Sequence, residues 1–238
     1  MSAHVLMLSS SRVGNEDYLE HAKPLMLEHL GDIRDVVFVP YAGVTMSFDE
    51  YTDKVQAALP DFNVTGLHTF EHPEQAVMEA QKNRTAILVG GGNTFNLLSC
   101  LYRDGLIESI RTAINAGTPY IGWSAGSNIC GATIRTTNDM PIIEPPSFNA
   151  LALLPCQLNP HYSDYHPPGF NGETRDQRLA EFTTLNPKTP VLAIREGTAL
   201  VLSGGKLMFK GEHGGFIFVD KDKTPINDGD DLSQFMHQ

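Results

Sequence analysis

The chain has few cysteines, no long apolar run and no block of basic residues. Its three cysteines, Cys100, Cys130 and Cys156, are too few and too widely spaced for a disulfide framework. None stands in a Cys-x-x-Cys pair that would hold zinc, so they read as buried free thiols in a reducing compartment. No apolar stretch approaches the roughly 20 residues that a bilayer-spanning helix needs. The opening Val5-Leu6-Met7-Leu8 is shorter than a signal-peptide core and has no basic leader. It reads as a first buried strand, with cytoplasmic residence as the default. A net charge of −11 over 238 residues repels nucleic acid and anionic membrane surfaces, so neither partner is expected. An acidic small substrate would need a local arginine or lysine. His-Glu-x-x-His is also missing. His161 and His166 flank Asp164, but through a Pro-rich loop with no fixed coordination geometry. No metal and no cofactor is expected, and a water-activating metal is the runner-up mechanism.

What is present is the texture of a soluble globular protein, 41% hydrophobic and 19% charged. Strand and helix patterns alternate through the first half. Strands are predicted over 5–9, 36–40, 64–70 and 85–89, and helices over 18–30, 49–59, 73–83, 94–101 and 106–116. Pro24 should kink the first helix or lie near its true start. Asp49 is the predicted N-cap of the second, and Gly117 the stop of the last. Strands joined by crossover helices predict an α/β fold, a mostly parallel central sheet covered by helices on both faces. After Ile134 the pattern loosens into loops, a helix over 174–185 and short strands over 191–194, 199–203, 206–210 and 216–219. No linker-like shift divides residues 1–238, so one domain is predicted, with a less regular, β-rich C-terminal part.

The chemistry gathers around Gly122-Trp123-Ser124-Ala125-Gly126, which follows the apolar run Tyr120-Ile121. Gly-x-Ser-x-Gly between a strand and a helix is the nucleophile-elbow pattern, a sharp turn that pushes a serine hydroxyl outward. An oxyanion hole would need the Ala125 N–H and a second backbone donor. Gly90-Gly91-Gly92-Asn93 directly follows the predicted strand 85–89, and its glycines would let Gly91 and Gly92 approach a substrate carbonyl. A phosphate cradle fits this loop poorly: Phe95 stands where Gly-x-Gly-x-x-Gly needs glycine, and no Gly-Lys-Ser/Thr follows. Nine histidines compete for the role of base. His161 differs from most in following Leu158-Asn159-Pro160 at the end of an extended segment. Asp139 and Glu196 are both candidates to orient it, since sites in open α/β sheets gather at the carboxyl ends of strands. Arg175 and Arg178, one turn apart on a predicted helix, could supply the cation that an acidic substrate requires.

Several ordered blocks then line up with one family. Gly90-Gly91-Gly92-Asn93-Thr94-Phe95, the Ser124 pentapeptide, 133–141, Asn159-Pro160-His161 and Gly172-Glu173-Thr174-Arg175 together resemble the peptidase E family. Phe38 to Thr45 and Asp49 to Lys54 look similar too. These aspartyl dipeptidases are grouped with cyanophycinases among serine peptidases of class I glutamine-amidotransferase-like fold. The resemblance implies metal-free hydrolysis of dipeptides with an N-terminal aspartate, Asp-X. It implies Ser124 as nucleophile, His161 as general base, and Asp139 or Glu196 as the orienting carboxylate. Arg175 would be the partner of the substrate aspartate, with Asn93 beside it in the substrate site. A cyanophycinase-like amidohydrolase acting on β-aspartyl dipeptides and a non-catalytic binding module are the alternatives. Oligomeric state is not predicted.

Overall fold

The computed structural model of the chain describes residues 3–169 and 171–236. Seven strands form the main sheet. Five run parallel: β1 (Val5–Leu8), β2 (Asp35–Val39), β3 (Asn63–Gly66), β4 (Ala86–Val89) and β5 (Tyr120–Trp123), in the order β3-β2-β4-β5-β1. Side chains alternate across the strands, and both sets are buried. Met7, Val39 and Val89 face the cluster built on α3 (Pro73–Glu79), α4 (Thr94–Arg103) and α5 (Leu106–Ala116). Leu8, Phe38, Leu88 and Trp123 face the cluster of α1 (Lys23–Leu30) and α2 (Phe48–Ala58). Burial on both faces explains why these strands are continuous apolar runs rather than alternating ones. At about 1.5–3 kcal/mol for each large side chain buried, the two layers together clamp the sheet.

The C-terminal part divides between two sheets. Beyond β1, the antiparallel β8 (Ala199–Ser203) and β9 (Lys206–Lys210) complete the main sheet. A second sheet has the order β11-β10-β7-β6 and comprises β6 (Gln157–Tyr162), β7 (Val191–Arg195), β10 (Gly215–Val219) and β11 (Asp222–Ile226). Within it β6 and β7 are parallel, and α7 (Arg175–Leu185) is the crossover between them. Serines after β1 join the sheets: Ser9 Oγ donates to the Ile194 carbonyl (2.8 Å) and accepts from the His161 N–H (2.9 Å). Ser10 Oγ accepts from the Gly197 N–H at 3.1 Å.

Local chemistry corrects several expected boundaries. Ser47, not Asp49, caps α2, in a reciprocal box with Glu50. The strand expected over 64–70 ends at Gly66, where Leu67–Thr69 turns into a 3-10 helix. Pro24 stands at the start of α1, after a 3-10 turn over Glu20–Ala22, rather than inside a longer helix. The third helix stops at Glu79. No helix among the described residues is long and apolar enough to cross a membrane.

Candidate active site

Because β1, β2, β4 and β5 are parallel, their carboxyl ends open on one edge, and the loops there line a cleft of about 570 Å³. Ser11, Ala42 to Met46, Gly91 to Asn93 and Ser124 come from the ends of these four strands, and His161 from the second sheet. Ser124 sits between β5 and α6 (Ala125–Asn128) at φ 54°, ψ −112°, a strained conformation for a residue with a Cβ. Its own N–H is tied to the Leu8 carbonyl at 3.1 Å, and Ser127 Oγ donates to the Leu8 and Gly122 carbonyls at 2.6 and 2.8 Å. The turn closes only around glycine: a Cβ at Gly122 would lie 2.4 Å from the Gly126 carbonyl oxygen.

The glycine loop after β4 packs directly on the serine. A Cβ at Gly91 would fall 2.9 Å from the Ser124 Cβ. Gly92 has φ +135° with its α-carbon against the Ala42 carbonyl, where no side chain fits. The N–H groups of Gly91, Gly92 and Ala125 have no acceptor among the described residues; Gly91 packs on the serine, Ala125 follows it in the chain, and Gly92 lines the same cleft. The loop's opposite edge is held by Tyr51, whose hydroxyl donates to the Gly91 carbonyl at 2.8 Å. Peptide planarity then points the Gly92 N–H of the same peptide away from Tyr51. Tyr51 in turn meets the Tyr18 hydroxyl (3.1 Å), which accepts from Trp123 Nε1 at 3.0 Å. Burial raises both phenols above their ordinary pKa, so both keep their protons as donors.

His161 stands next to last in β6 with φ 53°, held there by the Ser9 bond. Its Nδ1 pairs with Glu196 Oε1 at 2.8 Å, which leaves Nε2 for the cleft. His161 and Ser124 share the cleft without a direct hydrogen bond, a spacing that substrate binding commonly tightens. Asp139 lies elsewhere. Its Oδ2 accepts from the Thr94 N–H (2.7 Å) and hydroxyl (2.6 Å) at the N-terminus of α4, and from Thr137 Oγ1 at 3.3 Å.

Asn93 lines the cleft, but its amide also serves the fold. Its Oδ1 caps α4 through the Asn96 N–H (3.0 Å), and its Nδ2 donates to the Met140 carbonyl (2.9 Å). Arg175 occupies an adjoining hollow of about 170 Å³ with Asn138, Asp139, Asn159 and Arg178 rather than the cleft itself. The 138–142 loop runs between the two, with Asp139 in the hollow and Ile142 in the cleft. Arg175 is half-buried and makes no hydrogen bond or ion pair among the described residues. Burial and the nearby Arg178 lower its pKa, while Asp139 opposes them.

The pattern of Peptidase family S51 matches residues 5–209. The chain belongs to that family. It is a serine-type peptidase. Proteins named peptidase E from Shewanella denitrificans and Shewanella amazonensis are 53% and 52% identical to it, each over 99% of this chain and 100% of their own length. A Listeria monocytogenes protein solved as a candidate peptidase E superposes with a TM-score of 0.66 at 24% identity, over 88% of this chain and 98% of its own. A peptidase from an acI-B1 Actinobacterium gives 0.71 at 15% identity, over 98% and 97%. These last two likenesses show that the S51 chain shares their fold.

Ser11 of the first loop, the Tyr18–Tyr51–Trp123 network and Lys54 are cleft components that sequence reasoning missed. Ser9-Ser10-Ser11 directly follows the first strand, so the strand-end rule that singled out Gly90 could have found it. The tyrosines carry no such signal. A separate hollow of about 420 Å³ at the β3 edge, lined by Asp35, Glu71 and Glu79 among others, holds none of these residues.

Proposed function

We propose that the chain hydrolyses Asp-X dipeptides through an aspartyl-enzyme intermediate, with residues 1–238 acting as one catalytic domain. The observation that carries this reading is the His161–Glu196 pair opening on the cleft of a strained Ser124, beside backbone donors with no other acceptor. Nε2 of His161 takes the Ser124 proton as Oγ attacks the Asp-X carbonyl, and Glu196 steadies the imidazolium that forms. The Gly91, Gly92 and Ala125 N–H groups stabilise the tetrahedral oxyanion, an effect worth about 3 kcal/mol for each well-aimed donor. His161 then gives its proton to the leaving amine, and water releases aspartate from Ser124.

Arg175 supports the choice of aspartate. A half-buried guanidinium that shares its hollow with Asp139 but forms no ion pair among the described residues is a natural docking site for a substrate carboxylate. Peptidase E relatives over the whole chain point the same way. The acidic net charge speaks against nucleic-acid and membrane partners, and three buried free cysteines agree with cytoplasmic residence. The test is a panel of Asp-Leu, Glu-Leu, Asn-Leu and β-Asp-Leu with native enzyme and Ser124→Ala. Asp-Leu cleavage that disappears in the variant is expected. Full activity in the variant would end the serine mechanism, and faster β-Asp-Leu cleavage would move the assignment to the cyanophycinase-like side.

A further inference from the structure

Tyr162 and Asp176 each stand one position beyond a group assigned to the reaction. His161 and Tyr162 end β6, and Arg175 and Asp176 open α7. Between them, the 163–174 segment contains no helix or strand among its described residues, so no regular element ties the start of α7 to the base. A side-chain contact bridges the gap instead. The Tyr162 hydroxyl donates to Asp176 Oδ1, and Lys223 of β11 donates through Nζ to Asp176 Oδ2 at 2.6 Å. Tyr162 is 2% exposed and packs with Leu179, Val191 and Phe218, so its hydroxyl is carried on fixed core. Burial, and then the Asp176 carboxylate, raise its pKa, and it keeps its proton as a donor. The Lys223 ammonium is also stationed, 4.0 Å above the Phe216 ring.

An acidic residue in the first turn of a helix is ordinarily explained by the helix dipole. Asp176 goes further, because both of its oxygens are taken by side chains of the second sheet. The Lys223–Asp176 pair is partly exposed, and such pairs add little to stability. Its effect falls on position and on charge. The carboxylates that flank Arg175 in the chain or share its hollow are committed elsewhere: Asp176 to Tyr162 and Lys223, Glu173 to Arg178 at 3.7 Å, and Asp139 to Thr94. Released from the second sheet, the Asp176 carboxylate would be free to turn toward the arginines of its own helix.

We propose that Tyr162, Asp176 and Lys223 form a positioning clamp that sets Arg175 in register with His161 and keeps its guanidinium free for the substrate carboxylate. This rests on the Asp-X reading above and deepens it. None of the three residues lines the Ser124 cleft or the Arg175 hollow, so the clamp acts through Arg175 rather than on the substrate.

The experiment measures kcat and KM for Asp-Leu in native enzyme, Tyr162→Phe, Lys223→Gln and Lys223→Arg, with melting temperature as the check on folding. Tyr162→Phe and Lys223→Gln are then repeated on an Arg175→Gln background. In the native background each is expected to raise KM about three- to tenfold with kcat within about twofold, and Lys223→Arg to stay near the native KM. On Arg175→Gln, where kcat/KM is already low, each should change kcat/KM by less than about twofold, because the group that the clamp positions is gone. A general loosening of the fold would lower kcat/KM by the same factor in both backgrounds, and that additivity overturns the inference. So does an unchanged KM in Tyr162→Phe and Lys223→Gln. Should Tyr162→Phe fail to fold, the partly exposed Lys223→Gln carries the test alone. An unchanged KM in Arg175→Gln by itself overturns the inference and leaves the serine mechanism standing. Failure of the native enzyme to cleave Asp-Leu overturns the Asp-X reading and this inference with it.

Discussion

At the scale of single residues, Glu196 and Asp139 have different partners and should fail differently. Glu196 meets the His161 imidazole, and Asp139 meets the first turn of α4. Glu196→Gln keeps a hydrogen-bond partner but removes the charge that steadies an imidazolium, so a loss in kcat of about 10²-fold to 10⁴-fold is expected. Asp139→Asn is expected to lower stability by about 1–2 kcal/mol, read from chemical denaturation, with a much smaller change in kcat. The opposite pattern would return the orienting role to Asp139. Tyr51→Phe leaves the Gly91 carbonyl without its donor and frees the peptide that carries the Gly92 N–H. A fall in kcat of about tenfold with little change in KM is expected, because an oxyanion donor acts chiefly in the transition state. The elbow turn was legible from Gly-x-Ser-x-Gly in its setting between an apolar strand and a helix, and only glycine fits beside that serine. The choice between two carboxylates was not, because each stands in a polar turn and residue type alone does not rank them. What separates them is a contact between Glu196 and a histidine 35 positions away in the chain.

At the scale of elements, the helix caps give a direct test. Ser47→Ala removes the side-chain acceptor of the α2 N-terminus and should cost about 1 kcal/mol in a denaturation experiment. Asp49→Ala is expected to cost less, as Asp49 lies inside the helix and its carboxylate reaches outward to His68 at 2.8 Å. Ser47 and Asp49 are both acceptable caps by residue type. The reciprocal Ser47–Glu50 bonds decide between them, and the Ser-x-x-Glu spacing that encodes them was present in the sequence. Buried strands were legible as apolar runs. The edge strand β11 was not, because Asp222-Lys223-Thr224-Pro225 is polar and exposed and includes a proline, all properties of a loop.

At the scale of the whole molecule, stability should carry the mark of one histidine. His29 is buried in a ring stack on His4 with centroids 3.8 Å apart, and burial lowers its pKa from the ordinary 6.5 to about 3. Above pH 6.5 it is neutral folded or unfolded. Between about 6.5 and 3 only the unfolded chain takes up the proton, so stability falls as pH falls, by up to about 1.4 kcal/mol for each pH unit. Melting temperatures from pH 6.5 to 5 should therefore decline more steeply in the native protein than in His29→Gln; parallel slopes would show that His29 contributes nothing to the decline. The α/β class was legible at this scale from alternating patterns. The division of the C-terminal strands between two sheets was not, because β8 joins β1 across some 190 residues and no local pattern encodes such pairing.

Ser124 and the Gly91–Gly92 loop ride on the main sheet, while His161 and Glu196 ride on the second. Ser9 and Ser10 are the rivets between these two bodies. Each sheet could keep its own ladder intact while the bodies slide past one another by an ångström, yet that drift would part imidazole from hydroxyl. Turnover is thus a finer gauge of alignment than any spectroscopic signal of folding. In a urea titration the enzyme should fall silent well before its circular dichroism changes, and Ser9→Ala should widen that gap.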